Sequence, residues 1–403
     1  MKNIVIIVGL FVCCVVQLSA QEVKTDSILP VKLDEVIVIG KLGLNNRKQE
    51  KPLSSIDDYL EKSNKISMIK RGNYAWEPAM NNMVSDRLSV TIDGMQIFGA
   101  CTDKMDPITS YVDISNLSKV HVSSGQSGTE NGATIGGGID LKLQKSSFEK
   151  EELNVGIDLG SESNSNARII SSEFNYADDK FTFNADAIYR KSDNYFAGGG
   201  EEILFSQYEK FNVSTVAGVK VGKNSAIIGS FIFDKANDVG YPALTMDVSL
   251  AKALIASVSF EQKNISPTIN KWETKLYYNT VTHVMDDTKR PDVPIHMDMP
   301  GWSDTYGFYS KVKATKLKHN LLFNLNGYYN KSLAEMTMYP NDPNENVMFM
   351  LTWPDIDKLD FGLYVKDNVK FNIKRSLSYS VRLEYLNTSV MDEFGVQQAA
   401  VFT

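Results

Sequence analysis

Cysteine is close to absent. This chain of 403 residues carries 3, and two of them, Cys13 and Cys14, sit inside an apolar run at the N-terminus, without the small residues that would precede a lipidated cysteine. The remaining one, Cys101, has no partner for an internal disulfide. It is therefore either a free buried thiol packed as a small hydrophobe or a ligand or reactive group. Histidine numbers only 4, and a zinc reading needs more Cys, His or carboxylate and fewer methionines. Basic charge is in deficit, with 42 Lys and Arg against 49 Asp and Glu, net charge -7 and pI near 5.3, so there is no footprint for nucleic acid. Beyond the N-terminus no apolar run approaches the ~18 residues of a membrane helix, and residence in a membrane would have to be as a β-barrel. The clusters Gly136-Gly137-Gly138 and Gly198-Gly199-Gly200 lack the Gly-Lys-Ser/Thr ending of a phosphate loop. Carboxylates show no spacing that singles out an acid/base pair and no Ser/His/Asp order stands out, so nothing supports an enzyme.

What is present begins with an export signal. Met1-Lys2, the apolar run Ile4 to Val16 and Leu18-Ser19-Ala20 before Gln21 read as a signal peptide over residues 1–20. Residues 21–51 are mostly polar and enclose the β-prone stretch 33–40. Residues 52–145 mix an expected helix, Ile56 to Ser63, with short strands, Arg87 to Ile92 and Val120 to Ser123, and glycine-rich turns, which describes a compact α/β unit. From residue 146 the pattern changes to period-two alternation. Leu377, Tyr379, Val381, Leu383 and Tyr385 share one face, and Ser378, Ser380, Arg382 and Glu384 the other; the segments 181–190 and 321–329 behave alike. One dry and one wet face follow.

Strands of about ten residues, joined by alternately short and long connections and rich in aromatics, are the signature of an outer-membrane barrel. The expected long connections are Asp193 to Gln207, Asp286 to Ser303 and Ala334 to Pro354. Residues 146–403 hold about ten or eleven such strands, ending in a non-strand tail from Met391. Open sheet edges are not tolerated in lipid, so the expectation is the N-terminal part of a longer product, with a smaller complete barrel as the alternative.

Three motifs carry a resemblance. Leu33-Asp34-Glu35-Val36-Ile37-Val38-Ile39-Gly40 resembles an energy-coupling box, Arg87 to Ile92 followed by Asp93-Gly94 resembles a plug strand and its turn, and Val120 to Gly125 with Gly132 to Leu141 resembles a plug's closing glycine-rich hairpin. In this order they are similar to TonB-dependent outer-membrane receptors. The resemblance implies an α/β plug domain inside a membrane-spanning antiparallel β-barrel, 22-stranded in the family and incomplete here. It also implies the outer membrane of a Gram-negative bacterium and TonB as partner, joined through Leu33, Asp34, Glu35, Val36, Ile37 and Val38 by strand addition.

Within that family, Gly99 to Pro107 and onward through Thr109-Ser110-Tyr111-Val112, with Asp238 to Asp247 and His283 to Asp287, is similar to the copper receptors. Their Cys-x-x-x-Met and His-x-Met pairs correspond to Cys101/Met105 and His283/Met285, which the resemblance assigns as copper ligands. The chemistry of the residues agrees, because thiolate and thioethers select Cu(I) while imidazole accepts either copper state. Parity along Lys271 to Met285 puts His283 and Met285 on the face away from Trp272, Leu276 and Tyr278, that is, toward the lumen. Cys101 and Met105 share a face if their loop makes a helical turn. Met297/Met299, Met336/Met338 and Met348/Met350 repeat a Met-x-Met spacing, and together with His296 they are candidate auxiliary copper sites or adaptable packing; His121 and His319 read as structural or solvent-facing. Two other functions stay open: a receptor for a siderophore, haem or other metal chelate, and a copper-sequestering envelope protein without transport.

Overall fold

The structure, a computed structural model, describes residues 35–38 and 55–395. The expected signal peptide, most of the segment 21–51 including Leu33 and Asp34, residues 52–54 and the tail beyond residue 395 lie outside the described residues.

Ser55 starts the only described α-helix of the first unit, α1 (Ile56–Glu61), through a reciprocal cap: Asp58 N donates to Ser55 Oγ at 3.2 Å and Ser55 N to Asp58 Oδ2 at 3.0 Å. Eight strands accompany it: β1 (Glu35–Val38), β2 (Ser67–Ile69), β3 (Glu77–Met80), β4 (Met83–Val84), β5 (Leu88–Ile92), β6 (Met95–Gln96), β7 (Leu117–Ser124) and β8 (Gly137–Leu143). They form a five-stranded sheet in the order β1-β7-β8-β5-β6 and a three-stranded sheet β2-β3-β4. The β5–β6 hairpin turns on Asp93 (φ 51°) and Gly94 (φ 80°), the doubly left-handed turn for which Asp-Gly is suited. The expected strand and Asp-Gly turn is thus observed.

Eleven antiparallel strands follow: β9 (Glu152–Glu162), β10 (Ala167–Ala177), β11 (Phe181–Ser192), β12 (Tyr208–Gly222), β13 (Ser225–Val239), β14 (Asp247–Lys263), β15 (Ile269–Asp286), β16 (Ile295–Lys316), β17 (His319–Pro340), β18 (Met348–Lys370) and β19 (Ser376–Val390). Each pairs with its sequence neighbours in one sheet, and among the described residues β9 and β19 do not pair with each other. The sheet is a wall with an inverted distribution of polarity. Leu276 is 58% exposed on its outer face while the adjacent Lys275 is 1% exposed on its inner face, and Asn212, Asp234, Asn279 and Asn324 are buried there as well. Apolar outside and polar inside is the arrangement of membrane barrels.

The first unit packs against that inner face. Leu60, Ile92, Met95, Val120, Val122, Ile139 and Leu141 share one buried cluster with Val216, Ile232, Ile255 and Val281 of the wall, which makes the unit a plug. Asp93 in the hairpin turn adds a charged anchor: its Oδ2 lies 2.5 Å from Lys275 Nζ and 2.9 Å from Lys145 Nζ, and its Oδ1 4.0 Å from Lys142 Nζ. Burial alone would raise this carboxyl, but Lys145, Lys275 and Lys142 together outweigh it and hold it well below the usual carboxylate range.

Two expected connections are corrected. The segments 286–303 and 334–354 are mostly strand, because β16 runs through Pro300 and β18 through Pro354. Proline removes a ladder donor, and the ladders absorb the loss locally. Met299 and Pro300 have no β17 partner while Asp298 and Gly301 do, and the β17–β18 register shifts on either side of Ala334. Met297, Met299, Met336, Met338, Met348 and Met350 therefore belong to strands, not loops.

Candidate metal centre

The loop after β6 drops from Ile97 onto the wall beside the end of β15. Its seat requires glycine: His283 on β15 is opposite Gly301 on β16, and a Cβ on Gly301 would meet the Ala100 carbonyl oxygen at 2.2 Å. Ala100 can rest on the wall only because that side chain is missing, and Cys101 follows directly.

Residues 101–105 do not form the expected helical turn. Lys104 N donates to Cys101 O at 3.4 Å, and Lys104 itself is left-handed with φ 55°, so the chain reverses tightly and Met105 N reaches Cys101 Sγ at 3.3 Å. Both side chains still point into one place: Cys101, Met105, Met246, Met285 and Met299 form a buried cluster with Val239, Tyr241 and Val248, against which Met297 and Met336 pack. Parity along β15 is as expected, with Tyr277, Val281, His283 and Met285 all buried on the inner face.

His283 stands beside the thiol and beside a carboxylate that sequence reasoning did not single out. Cys101 Sγ, a carboxylate oxygen of Asp106 and a ring nitrogen of His283 all lie within 4.8 Å of one another. His283 Nδ1 is 3.2 Å from Asp106 Oδ1, yet the pair is not aligned for hydrogen bonding, and Asp106 Oδ1 and both ring nitrogens of His283 are buried without a hydrogen-bond partner. The other carboxylate oxygen is held, since Tyr111 OH donates to Asp106 Oδ2 at 3.0 Å. Burial, reinforced by Asp106, pushes the Tyr111 hydroxyl well above its usual range, so it remains a donor. The gap bounded by Cys101, His283, Met285 and Met299 has no room for a water-sized sphere.

A short loop covers the cluster. Residues 240–246 join β13 to β14, and Tyr241 OH donates to the Met105 carbonyl. Arg290, from the turn after β15, clasps this loop: it donates to Asp247 at 3.0 and 2.6 Å, to the Tyr241 carbonyl at 2.9 Å and to the Leu244 carbonyl, and it lies over the Phe205 ring at 4.1 Å. The strand that carries His283 and Met285 is thus tied to the loop that closes over them.

From this cluster thioethers continue along the wall. Met285 is opposite Met299, Met297 opposite Met338, Met338 opposite Met348 and Met336 opposite Met350. Opposed residues and residues two apart share a face, so these sulfurs run on the inner face from buried Met285 to Met348, which is 40% exposed. His296 precedes Met297 in β16, and its Nδ1 lies 2.9 Å from Asp287 Oδ1. His319 lies 2.6 Å from Asp367 on the opposite rim of the wall and His121 is in β7, both away from the site. Of the residues expected to couple to TonB, Glu35, Val36, Ile37 and Val38 pair antiparallel with Lys119 to Val122 at the edge of the plug sheet. Asp106 and Met246 are the site residues missed by sequence reasoning. Asp106 directly follows Met105, and Met246 is within Asp238 to Asp247, but neither has a spacing that marks it.

No protein-family model and no curated relative matches the sequence. Solved structures do. The chain is similar to the copper transporter OprC with a TM-score of 0.76 and 21% identity, over 84% of this chain and 54% of that one. It has the fold of the TonB-dependent receptors. The ferric citrate transporter FecA in its unliganded form matches with a TM-score of 0.65 and 10% identity over 88% of this chain and 56% of that one. The FrpB iron transporter from Neisseria meningitidis matches at 0.60 and 11%, over 88% and 62%. The chain thus spans little more than half the length of these structures. They are transporters and not enzymes, and the fold places an α/β plug against an antiparallel barrel wall.

Proposed function

We propose that this chain serves an outer-membrane, TonB-dependent receptor that captures copper at the plug–wall junction and imports it. Cys101, Met105, His283 and Met285 are the ligands in this reading. The observation that carries it is the convergence of two sequence-distant pairs in one buried pocket where His283 has no other hydrogen-bond partner. The name of the OprC structure agrees with the cargo. Soft sulfur donors with one imidazole suit Cu(I) and accept Cu(II), and binding requires thiolate and neutral imidazole, so capture weakens as pH falls. The stripe from Met348 through Met338, Met336, Met297 and Met299 to Met285 supplies weaker auxiliary sulfur sites on the way in. TonB engages the segment from Leu33 to Val38 by adding a strand, which requires β1 to leave the edge of β7, and the pull on the plug opens the pocket inward.

A second reading is favoured by a cavity of about 680 Å³ beside the pocket, bordered by Cys101, Asp106, Tyr328, Trp353 and Lys358, a volume that suits a small chelate. Copper content by mass spectrometry with anaerobic Cu(I) titration separates the two. The copper reading expects about one tightly held ion per chain, lost in Cys101→Ala/His283→Ala; absence of copper from the parent overturns it and leaves a chelate as cargo.

A further inference from the structure

We propose that Asp106 is itself a metal donor, and that the pocket therefore contains two overlapping donor sets that let it take borderline divalent ions as well as Cu(I). This rests on reading the pocket as a metal site. The first set is soft: the Cys101 thiolate with the Met105 and Met285 thioethers. The second is mixed: the same thiolate with the His283 imidazole and the Asp106 carboxylate, three donors within 4.8 Å of one another.

Asp106 is 3% exposed and His283 1%. Burying a carboxylate oxygen without a donor is costly, and native structures nearly always avoid it. Here one oxygen of Asp106 accepts from Tyr111 while the other lies 3.2 Å from His283 Nδ1 outside hydrogen-bonding alignment, and neither His283 nitrogen has an aligned hydrogen bond. The Tyr111 bond also sets the orientation of the carboxylate, so the oxygen facing His283 is aimed and not swivelling. Donors around one small divalent ion sit roughly 2.0–2.3 Å from it, which calls for only a small inward shift of side chains already this close. Cys, His and carboxylate together are a donor set for zinc, cobalt or Cu(II), whereas thioethers favour Cu(I) and Ag(I). Asp106 is then the residue that determines whether the pocket accepts a divalent ion.

The test is equilibrium binding of Ag(I), Zn(II) and Co(II) to the purified full chain in detergent, with the thiolate-to-cobalt charge-transfer band as a second readout. Asp106→Asn keeps an acceptor for Tyr111 and removes the charge. The expected result is a loss of Zn(II) and Co(II) affinity of roughly tenfold or more together with loss of the cobalt band, while Ag(I) affinity stays within about threefold. The reciprocal Met105→Leu/Met285→Leu variant should lose Ag(I) and keep Co(II). Asp106 is overturned as a donor if the Asn variant holds divalent ions like the parent, if it loses Ag(I) as much as Co(II), or if the parent takes Ag(I) but no divalent ion. A parent that binds none of the three overturns the metal reading itself.

Discussion

Around Asp93 a buried carboxylate is met by several lysines, and around Asp106 by one imidazole that is not aligned to donate to it. Asp93 is contacted by Lys275, Lys145 and Lys142, Asp140 accepts from Thr91 and Gly94 N at 3.0 Å each and from Asn131 at 3.2 Å, and Lys311 reaches Glu130 and Asn131 at 2.9 and 2.6 Å. Asp106 and His283 lie equally deep between plug and wall, and although they stand 3.2 Å apart, three of their polar atoms have no aligned hydrogen bond. Depth is common to both places, so the difference is one of satisfaction. A saturated cluster holds the plug to the wall. One with fewer aligned hydrogen bonds carries a desolvation cost that the Tyr111 bond and the Asp106–His283 contact offset only in part, which leaves it open to a ligand.

The comparison is broken most severely by the double variant Cys101→Ala/His283→Ala, for which mass spectrometry should find bound copper reduced from about one ion per chain to background, with the Asp93 cluster untouched. Next in size, Asp93→Asn takes the close carboxylate from Lys275 and Lys145, while Lys142 keeps Asp140 at 2.7 Å, and should cost roughly 3–5 kcal/mol of plug stability, read as increased protease cleavage of the plug and a lower denaturant midpoint. Asp106→Asn without metal should leave that midpoint unchanged or raise it; equal destabilisation by the two variants would abolish the contrast. Arg290→Met releases the loop over the pocket and should cost about 2 kcal/mol, with metal exchange, followed by stopped-flow competition with a chelator, accelerated more than affinity is reduced.

Two further effects are in pH. Because Asp93 titrates below its unfolded value of about 4, its contribution is full above that value and is lost as pH falls through its lower folded value. Asp57 behaves in the opposite sense: burial pushes its carboxyl up to about 7, despite a hydrogen bond from Trp76 N at 3.2 Å and the nearby Lys210. Its contribution is complete below about pH 4 and is lost as pH rises through 7. Denaturant midpoints across pH 4–8 should fall in the parent and flatten in Asp57→Asn.

Much of the wall was legible because alternation is local: the faces of Lys271 to Met285 follow from period two, and the observed eleven strands agree with the count of about ten or eleven expected from the pattern. The Asp93-Gly94 turn was legible through its resemblance to a plug motif, and it too is a local feature. Pro300 and Pro354 misled, since a proline in sequence looks like the end of a strand and only the neighbouring ladder reveals that a missing partner or a register shift has absorbed it. Asp106 and Met246 were invisible as site residues because nothing within a few positions of either gives it a role; Asp106 acquires one from Tyr111 and His283, and Met246 from the plug loop it covers.

By itself the sequence determined which donor types exist, one thiol beyond the N-terminal apolar run, few imidazoles and many thioethers, and which face of its strand each strand donor would occupy, because donor chemistry is intrinsic and strand parity is a property of adjacent residues. Only the tertiary structure decided which donors meet. That depends on the register of β15 against β16, on the close approach of Ala100 at Gly301 and on the tight reversal at Lys104, and each of these is set by packing between segments far apart in the chain.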